Sequence, residues 1–502
     1  MSWLRANWPG LALAAVVSIA ALAASSRVVG LAWDDGVYVA AGQALAHGKG
    51  YVLANRVGLQ PVPGYPPGYP LICALVWLVC GSTSRVLAAL AALSAACMSV
   101  ASLLWYRVLR REQAAEIAAL LVAVPALSYA ALSVAEERMA DAPYALLVAV
   151  AAALWGRARS STWSTTAIVL LAAVAPLLRT AGAVLTIALI LLLASRRRWL
   201  AACGALAAAL ALQLAVRVAL RAPEPSYVEL TSAAWGDGGA GASILFRALT
   251  RGLWESIASF AVPPVFYSGA IQRAVREGGV AAVGYGMFVA AIAGAALLGA
   301  WRRLRADRWG VGDLALVGAM SLIFVTPFGM MPRFLVPFGP VIAMWAWTGL
   351  GGQGRRSRWV LGSLLSLVLL GTLAQAAQHA RRKPVLVRER SAAYLAAADS
   401  AHRRLGQDGI VVAEFPETVW FGRRLKTVSS PTMFENVLDA ETAFVRIRRQ
   451  VETIGRGCLL DTKTFPVSRR LFELLVGRPG AERLEGLDAR YVRAVCWGAG
   501  AG

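Results

Sequence analysis

Apolar and polar positions divide the chain into long apolar blocks separated by short charged stretches. A membrane-spanning helix needs about 20 predominantly apolar residues, and most of the blocks approach that length. The first, roughly 9–31, follows "MSWLR" and carries "LAASS", a passable signal-peptidase site. Its length, and its place at the head of a chain with many such blocks, favour an uncleaved first span. Further spans are predicted at approximately 85–106, 114–134, 142–156, 164–178, 182–195, 199–220, 280–300, 311–329, 334–350 and 358–376. That makes about eleven transmembrane helices.

The block "PPGYPLICALVWLVCG", 66–81, is different. After its prolines it holds only about a dozen apolar residues, too few to span. If it crossed, "YRVLRRE" (106–112) would lie outside and every later Arg cluster would be inverted. If it lies in the outer interface, Arg107, Arg110 and Arg111 are inside. So are Arg157 and Arg159, "RRR" 196–198, "WRRLRADR" 301–308 and "RRSR" 355–358, as the positive-inside rule asks. Residues 66–81 are therefore predicted to be an interfacial helix. The first outer loop is then 32–84 and a large outer loop is 221–279. Within the latter, "ILFRALTRGLWESIASFAV" has the periodicity of a second surface-lying helix.

After residue 376 no 20-residue apolar run remains. "GIVVAEF" and "RYVRAVCW" read as strands, and "SAAYLAAADSAHRRLG" as a helix stopped by Gly406. The predicted organisation is a transmembrane domain over 1–376 and a small α/β domain over 377–502, placed extracytoplasmically by the span count. Of the six cysteines, Cys458 and Cys496 fall in this outer domain; a disulfide and two buried thiols both fit them.

Composition agrees. Hydrophobic residues make up 58% and charged residues 16%, which excludes an ordinary soluble domain. A net charge of +22 would suit nucleic acid, but the Arg clusters lie between apolar runs, where topology accounts for them. There is no Cys-x-x-Cys and no His pair at metal-ligand spacing; His47 and His379 stand alone.

This topology gathers Asp34, Asp35, Tyr38, Lys49, Arg56, Tyr65, Tyr69, Glu136, Glu137, Arg138, Asp141, Arg179, Glu224, Glu229, Asp237 and Arg333 on the outer side. Carboxylates at span ends can act as general bases, and Arg can hold phosphate bidentately. Together they suit chemistry on a lipid-linked phosphate. Each also has a plain reading, because interfacial Asp, Arg and Tyr commonly mark and anchor the end of a span.

"WDDGVY" (33–38), "ALAHGKGY" (44–51) and "YPPGYPLICALVWLVCG" (65–81) resemble the first outer loop of GT-C glycosyltransferases. The nearer group resembled is the bacterial branch related to the lipid A aminoarabinose transferase and to protein O-mannosyltransferases. "DAPYALLVAVAAALW" (141–155), "LLRTAGAVLTIALILLLASRRRW" (177–199), "PRFLVPFGPVIAMWAWTGL" (332–350) and "IVVAEFPETVWFGRRLKTV" (410–428) extend the match through most of the chain in order. The resemblance implies a multi-pass protein of the inner or plasma membrane with an extracytoplasmic active site. Its donor would be a polyprenyl-phosphate sugar, and its acceptor a hydroxyl on a glycan, lipid or protein. Transfer would invert the anomeric carbon, and a divalent metal is an open cofactor question. Asp34, Asp35 and Asp141 would be catalytic, with Asp34 as base. Arg333, Arg56 and Arg138 would bind the donor phosphate. Tyr38, Tyr65, Tyr69, Glu136 and Glu137 would contact substrate. Two departures stand out: Asp35 where the group usually has Glu, and Gly64-Tyr65 where the lipid A enzymes have a Lys before the interfacial Pro.

Two other classes fit less well. A transporter or flippase places charge at mid-membrane depth, and these spans are nearly free of it. The short pair 164–178 and 182–195, with Arg179 between, is the feature that leans that way. A non-catalytic scaffold would tolerate replacement of Asp34.

Overall fold

A computed structural model describes residues 2–25, 28–30, 34–53, 55–56, 60–62, 65–136, 138–157, 161–220, 280–325, 332–351, 355–406, 410–413, 415–423, 427–429, 444–445, 448–449, 451–452, 454, 456–462 and 466–497. The expected outer loop 221–279, with Glu224, Glu229, Asp237 and the expected surface helix, lies outside the described residues, as does Glu137.

The chain opens with α1 (Ser2–Ala24), then α2 (Asp34–Ala46), a short hairpin of β1 (Val52–Leu53) with β2 (Gln60–Pro61), and α3 (Gly68–Cys80). Next comes α4 (Thr83–Leu109), antiparallel to α1. At one end of the pair Arg107 Nε donates to Asn7 Oδ1 at 3.0 Å. At the other, Arg138 donates to the carbonyls of both Val28 and Leu87 at 3.1 Å. The chain thus leaves α1 and begins α4 at the same end. Between them lies the 13-residue α3, shorter than the ~20 residues a span needs.

The bundle continues with α5 (Ala115–Ala126), α6 (Tyr129–Glu136), α7 (Asp141–Trp155), α8 (Thr162–Leu178), α9 (Gly182–Ser195) and α10 (Trp199–Leu220). Where one span was expected over 114–134, α5 and α6 meet at 63°. Ser128 sits at the break, accepting from Ala131 N while its own hydroxyl donates to the Pro125 carbonyl. A side chain that caps the second helix in this way competes with helix continuation.

After the undescribed loop come α11 (Val280–Arg305), α12 (Val311–Val325), a 3-10 helix (Pro332–Phe338) and α13 (Gly339–Gly349). The expected span 334–350 is therefore split, with Pro332, Pro337 and Pro340 removing backbone donors around the join. Helices α11 and α13 cross closely: a Cβ on Gly299 would meet the Trp345 carbonyl, and one on Gly349 the Ala295 carbonyl. Small residues at such a crossing let two backbones approach without a water-driven hydrophobic effect.

By length and composition, three described helices can cross a membrane: Asn7–Ala24, Thr83–Leu109 and Trp199–Leu220. The bent α5–α6 pair makes a fourth if it is one span. Six further apolar helices have only 10–17 residues, among them Gly68–Cys80, Asp141–Trp155, Thr162–Leu178 and Gly182–Ser195, so about eleven spans are not reached on this criterion among the described residues.

Helix α14 (Arg355–Leu405) runs 51 residues, or roughly 77 Å at 1.5 Å per residue. The expected span 358–376 and the expected helix ending at Gly406 are its two ends. The change from apolar to charged sequence at 376 falls inside it. Gly406, at φ +70, terminates it in the left-handed conformation that glycine adopts without penalty. Beyond it lie β3 (Ile410–Ala413), α15 (Pro416–Arg423), β4 (Thr427–Ser429), β5 (Gly457–Asp461), α16 (Pro466–Val476), β6 (Glu482–Arg483) and β7 (Arg493–Trp497). The sheet order is β4-β3-β5-β7-β6, with parallel pairs at β3–β4 and β3–β5 and antiparallel pairs at β5–β7 and β6–β7. Alternate residues divide between its faces. Val411, Ala413, Leu460 and Ala494 pack under Tyr394, Ala397 and Ala401 of α14, whereas Val412, Leu459 and Val495 pack under Leu471 and Leu475 of α16. Cys458 and Cys496 are direct cross-strand partners and form a disulfide.

Candidate active site

The acidic pair begins α2, where the helix dipole favours negative charge. The two acids have different surroundings. Asp35 is buried, and both its oxygens accept from the Gly30 amide, at 3.1 and 3.2 Å. Gly30 has φ +91, a backbone state that suits glycine. Asp34 is half-buried, and its Oδ1 accepts a 2.7 Å hydrogen bond from the Tyr65 hydroxyl. Tyr65 is held in turn: its carbonyl accepts from the Tyr51 hydroxyl at 2.8 Å, and its ring stands edge-on to Tyr38 at 5.2 Å. Tyr38 also packs edge-on against the fully buried Tyr69, at 5.1 Å. The structure therefore brings Asp34, Asp35, Tyr38, Tyr65 and Tyr69 together. At the departure from the Lys pattern, a tyrosine hydroxyl touches the first acid.

A second group joins this loop to the C-terminal sheet domain. Arg56 Nη2 reaches Glu417 Oε1 at 2.7 Å, and Asn55 Nδ2 donates to the same oxygen at 3.1 Å. All three side chains are buried. Arg56 Nε and Nη1 and Asn55 Oδ1 have no hydrogen-bond partner among the described residues. The same face of α15 places the Thr418 hydroxyl on the Val29 carbonyl at 3.0 Å and Trp420 Nε1 on Gln43 at 2.9 Å. Phe421 stacks on Trp77 of α3.

The other expected residues form separate clusters. Arg138, at φ +48 and 2% exposed, donates to the carbonyls of Leu87 and Val28 and to Ser25 Oγ. Burial lowers its pKa, while the fields of Asp35, Tyr69 and Glu136 act in the opposite direction. Asp141, opening α7, is ion-paired with Arg179, whose guanidinium lies over the Phe334 ring at 4.7 Å. Glu136 meets His379 Nε2 and Lys383 Nζ, both at 3.1 Å. Arg333 stands in the 3-10 helix beside Phe334; its side chain lies outside the described residues.

A cavity of about 730 Å³ adjoins the loop. Leu22, Leu87 and Ala91 give it apolar walls; Ser25 and Arg138 add polar groups, and Thr418 belongs to α15. Among the described residues, no three His, Cys, Asp or Glu side chains are grouped so as to hold a metal ion.

Sequence reasoning assigned no role to Glu417, Lys383 or His379. Each acts through a partner hundreds of residues away, 361 for Arg56–Glu417 and 243 for Glu136–His379, and no local pattern marks such pairs.

These features belong to a mostly helical fold with a small C-terminal sheet, whose helix α15 packs on the first loop. The fold is similar to that of ArnT. Against the crystal structure of ArnT from Cupriavidus metallidurans bound to undecaprenyl phosphate, the TM-score is 0.55 at 15% identity, covering 99% of this chain and 98% of that one. Against the apo form it is 0.56 at 14% identity, covering 96% and 97%. At this identity the likeness is one of fold. No protein-family profile matches the chain, and no curated protein matches it in sequence.

Proposed function

We propose that the protein is an integral membrane glycosyltransferase. It moves a sugar from a polyprenyl-phosphate donor to an acceptor hydroxyl on the extracytoplasmic side. The observation that carries this reading is Asp34: a partly accessible carboxylate, held by Tyr65 on the first turn of α2, in a chain that shares its whole length with a fold seen bound to undecaprenyl phosphate. The Cys458–Cys496 disulfide supports an oxidising compartment for the tail domain.

In this mechanism Asp34 takes the proton of the acceptor hydroxyl as general base. The acceptor oxygen attacks the anomeric carbon, and the bond from that carbon to the phosphate oxygen breaks, with its electron pair leaving on the lipid phosphate. Guanidinium groups stabilise that charge. Arg56, with unpartnered N–H groups, and Arg333 are suited to this. Arg138 is already committed to two carbonyls, and its part is to hold the end of α1 against α4. Asp35 fixes the loop through Gly30 rather than meeting the acceptor. Asp141, locked to Arg179, ties α7 to the turn after α8, with the Arg179 guanidinium over the Phe334 ring. Tyr38 supports Tyr65 and is itself backed by Tyr69. Glu136 holds α14 in place.

The reading is tested by lipid extraction from a strain lacking the protein. One polyprenyl-phosphate sugar is expected to accumulate and to fall again when the gene is restored, but not when Asp34→Asn is restored. An unchanged lipid-linked sugar pool would sink it.

A further inference from the structure

Helix α15 belongs to the C-terminal domain, yet its first turn is built into the first loop. A Cβ on Gly36, two residues after Asp34, would lie 2.5 Å from Glu417 Cβ. One on Gly30 would lie 2.8 Å from both Glu417 Cβ and the Thr418 amide. Two glycines therefore clear space for Glu417 at the spot where α2 begins. Its carboxylate takes hydrogen bonds from both Arg56 and Asn55 on one oxygen. With Arg56 3% exposed, its charge is tolerable only beside an opposite charge, because an isolated buried ion costs several kcal/mol. Among the described residues, Glu417 is the carboxylate in contact with it.

We propose that Glu417 is a positioning residue. It holds the Arg56 guanidinium in place, leaving Nε and Nη1 for a lipid phosphate, so that the C-terminal domain completes the donor site. This rests on the reading of Arg56 as a phosphate ligand given above. Without the carboxylate the guanidinium swings towards water and the phosphate loses its contact. The role requires contact between domains: the 2.7 Å pair joins residues from opposite ends of the chain.

The test uses the full chain in nanodiscs, with a short-chain polyprenyl phosphate as binding probe and sugar transfer as a second readout. Glu417→Gln and Arg56→Ala are each expected to weaken probe binding about ten-fold, the effect of a charged hydrogen bond. The double variant should be no weaker than Arg56→Ala alone, since residues acting as one unit are non-additive. Arg423→Ala, which removes the exposed ion pair to Asp399 at the other end of the same helix without touching Arg56, should leave binding unchanged. The proposal is overturned by an equal further loss in the double variant, by a matching loss in Arg423→Ala, or by tighter probe binding in Glu417→Gln. The last result would make Glu417 a counter-ion that the phosphate displaces. A wild-type protein that binds the probe but transfers no sugar would refute the transferase reading and leave this one standing. A wild-type protein that does not bind the probe would refute the positioning role.

Discussion

Asp34 and Asp35 are adjacent in sequence, but one accepts from a tyrosine hydroxyl and the other from a backbone amide. The acidic pair was legible in the sequence because it stands directly after an apolar run. The division of labour was not, because it depends on Gly30 and Tyr65, which lie on either side of the pair in the chain. If Asp35 anchors the loop, Asp35→Ala should cost about 1–3 kcal/mol, the penalty for leaving a buried amide unpaired. Thermal unfolding of the detergent-solubilised protein would read that loss, and an unchanged Tm would return Asp35 to the list of direct participants. Arg333 separates on a milder change. A guanidinium that grips phosphate is not replaced by an ammonium, whereas an interfacial anchor is. Arg333→Lys is therefore expected to reduce kcat/KM for the donor about ten-fold or more, a loss of roughly 1.5–3 kcal/mol. An unaltered kcat/KM would make it an anchor.

At the scale of elements, the long spans and strands β3 and β7 could be read from apolar length and alternation. Helix α2 could not be placed so easily. Ten of its residues in a row are buried, so it has no polar face to give a helical period. The break between α5 and α6 turns on a single serine, and the continuity of α14 hides beneath the change of composition at 376. For the short α3, length and the Arg clusters together predict an interfacial helix. Its placement is open to labelling. In a background without the free cysteines Cys73, Cys80, Cys97 and Cys203, Ser84→Cys should react with an impermeant thiol reagent added outside, and Ser357→Cys should not. The reverse pattern would mean that 66–81 crosses the membrane. The seating of α15 has its own test in two glycines. Both Gly30 and Gly48 have positive φ, so alanine at either costs about 1–2 kcal/mol in backbone strain. Gly48 has nothing within 4 Å, whereas Gly30 faces α15 at 2.8 Å. Gly30→Ala should therefore lower Tm clearly more than Gly48→Ala. Equal shifts would mean that α15 is not seated against the loop.

For the whole molecule, the bundle and the sheet domain meet at the first loop. That meeting was the least legible part of the sequence, because Arg56, Asn55 and Glu417 share no local pattern. The sequence showed a greasy chain with a charged tail and, in the ordered motifs, a resemblance. The fold comparison supports the resemblance along nearly the full length, while the chemistry rests on Asp34 and its surroundings. The most direct measurement uses lipid extract from the deletion strain, incubated with the purified full-length protein in nanodiscs. Mass spectrometry would follow the accumulated polyprenyl-phosphate sugar and the free polyprenyl phosphate. The wild-type protein should consume the first and release the second in equal amounts once acceptor-bearing membranes are added. Asp34→Asn, folded and inserted to the same level, should do neither. Turnover by Asp34→Asn at the wild-type rate, or no turnover by the wild-type protein, would contradict the account.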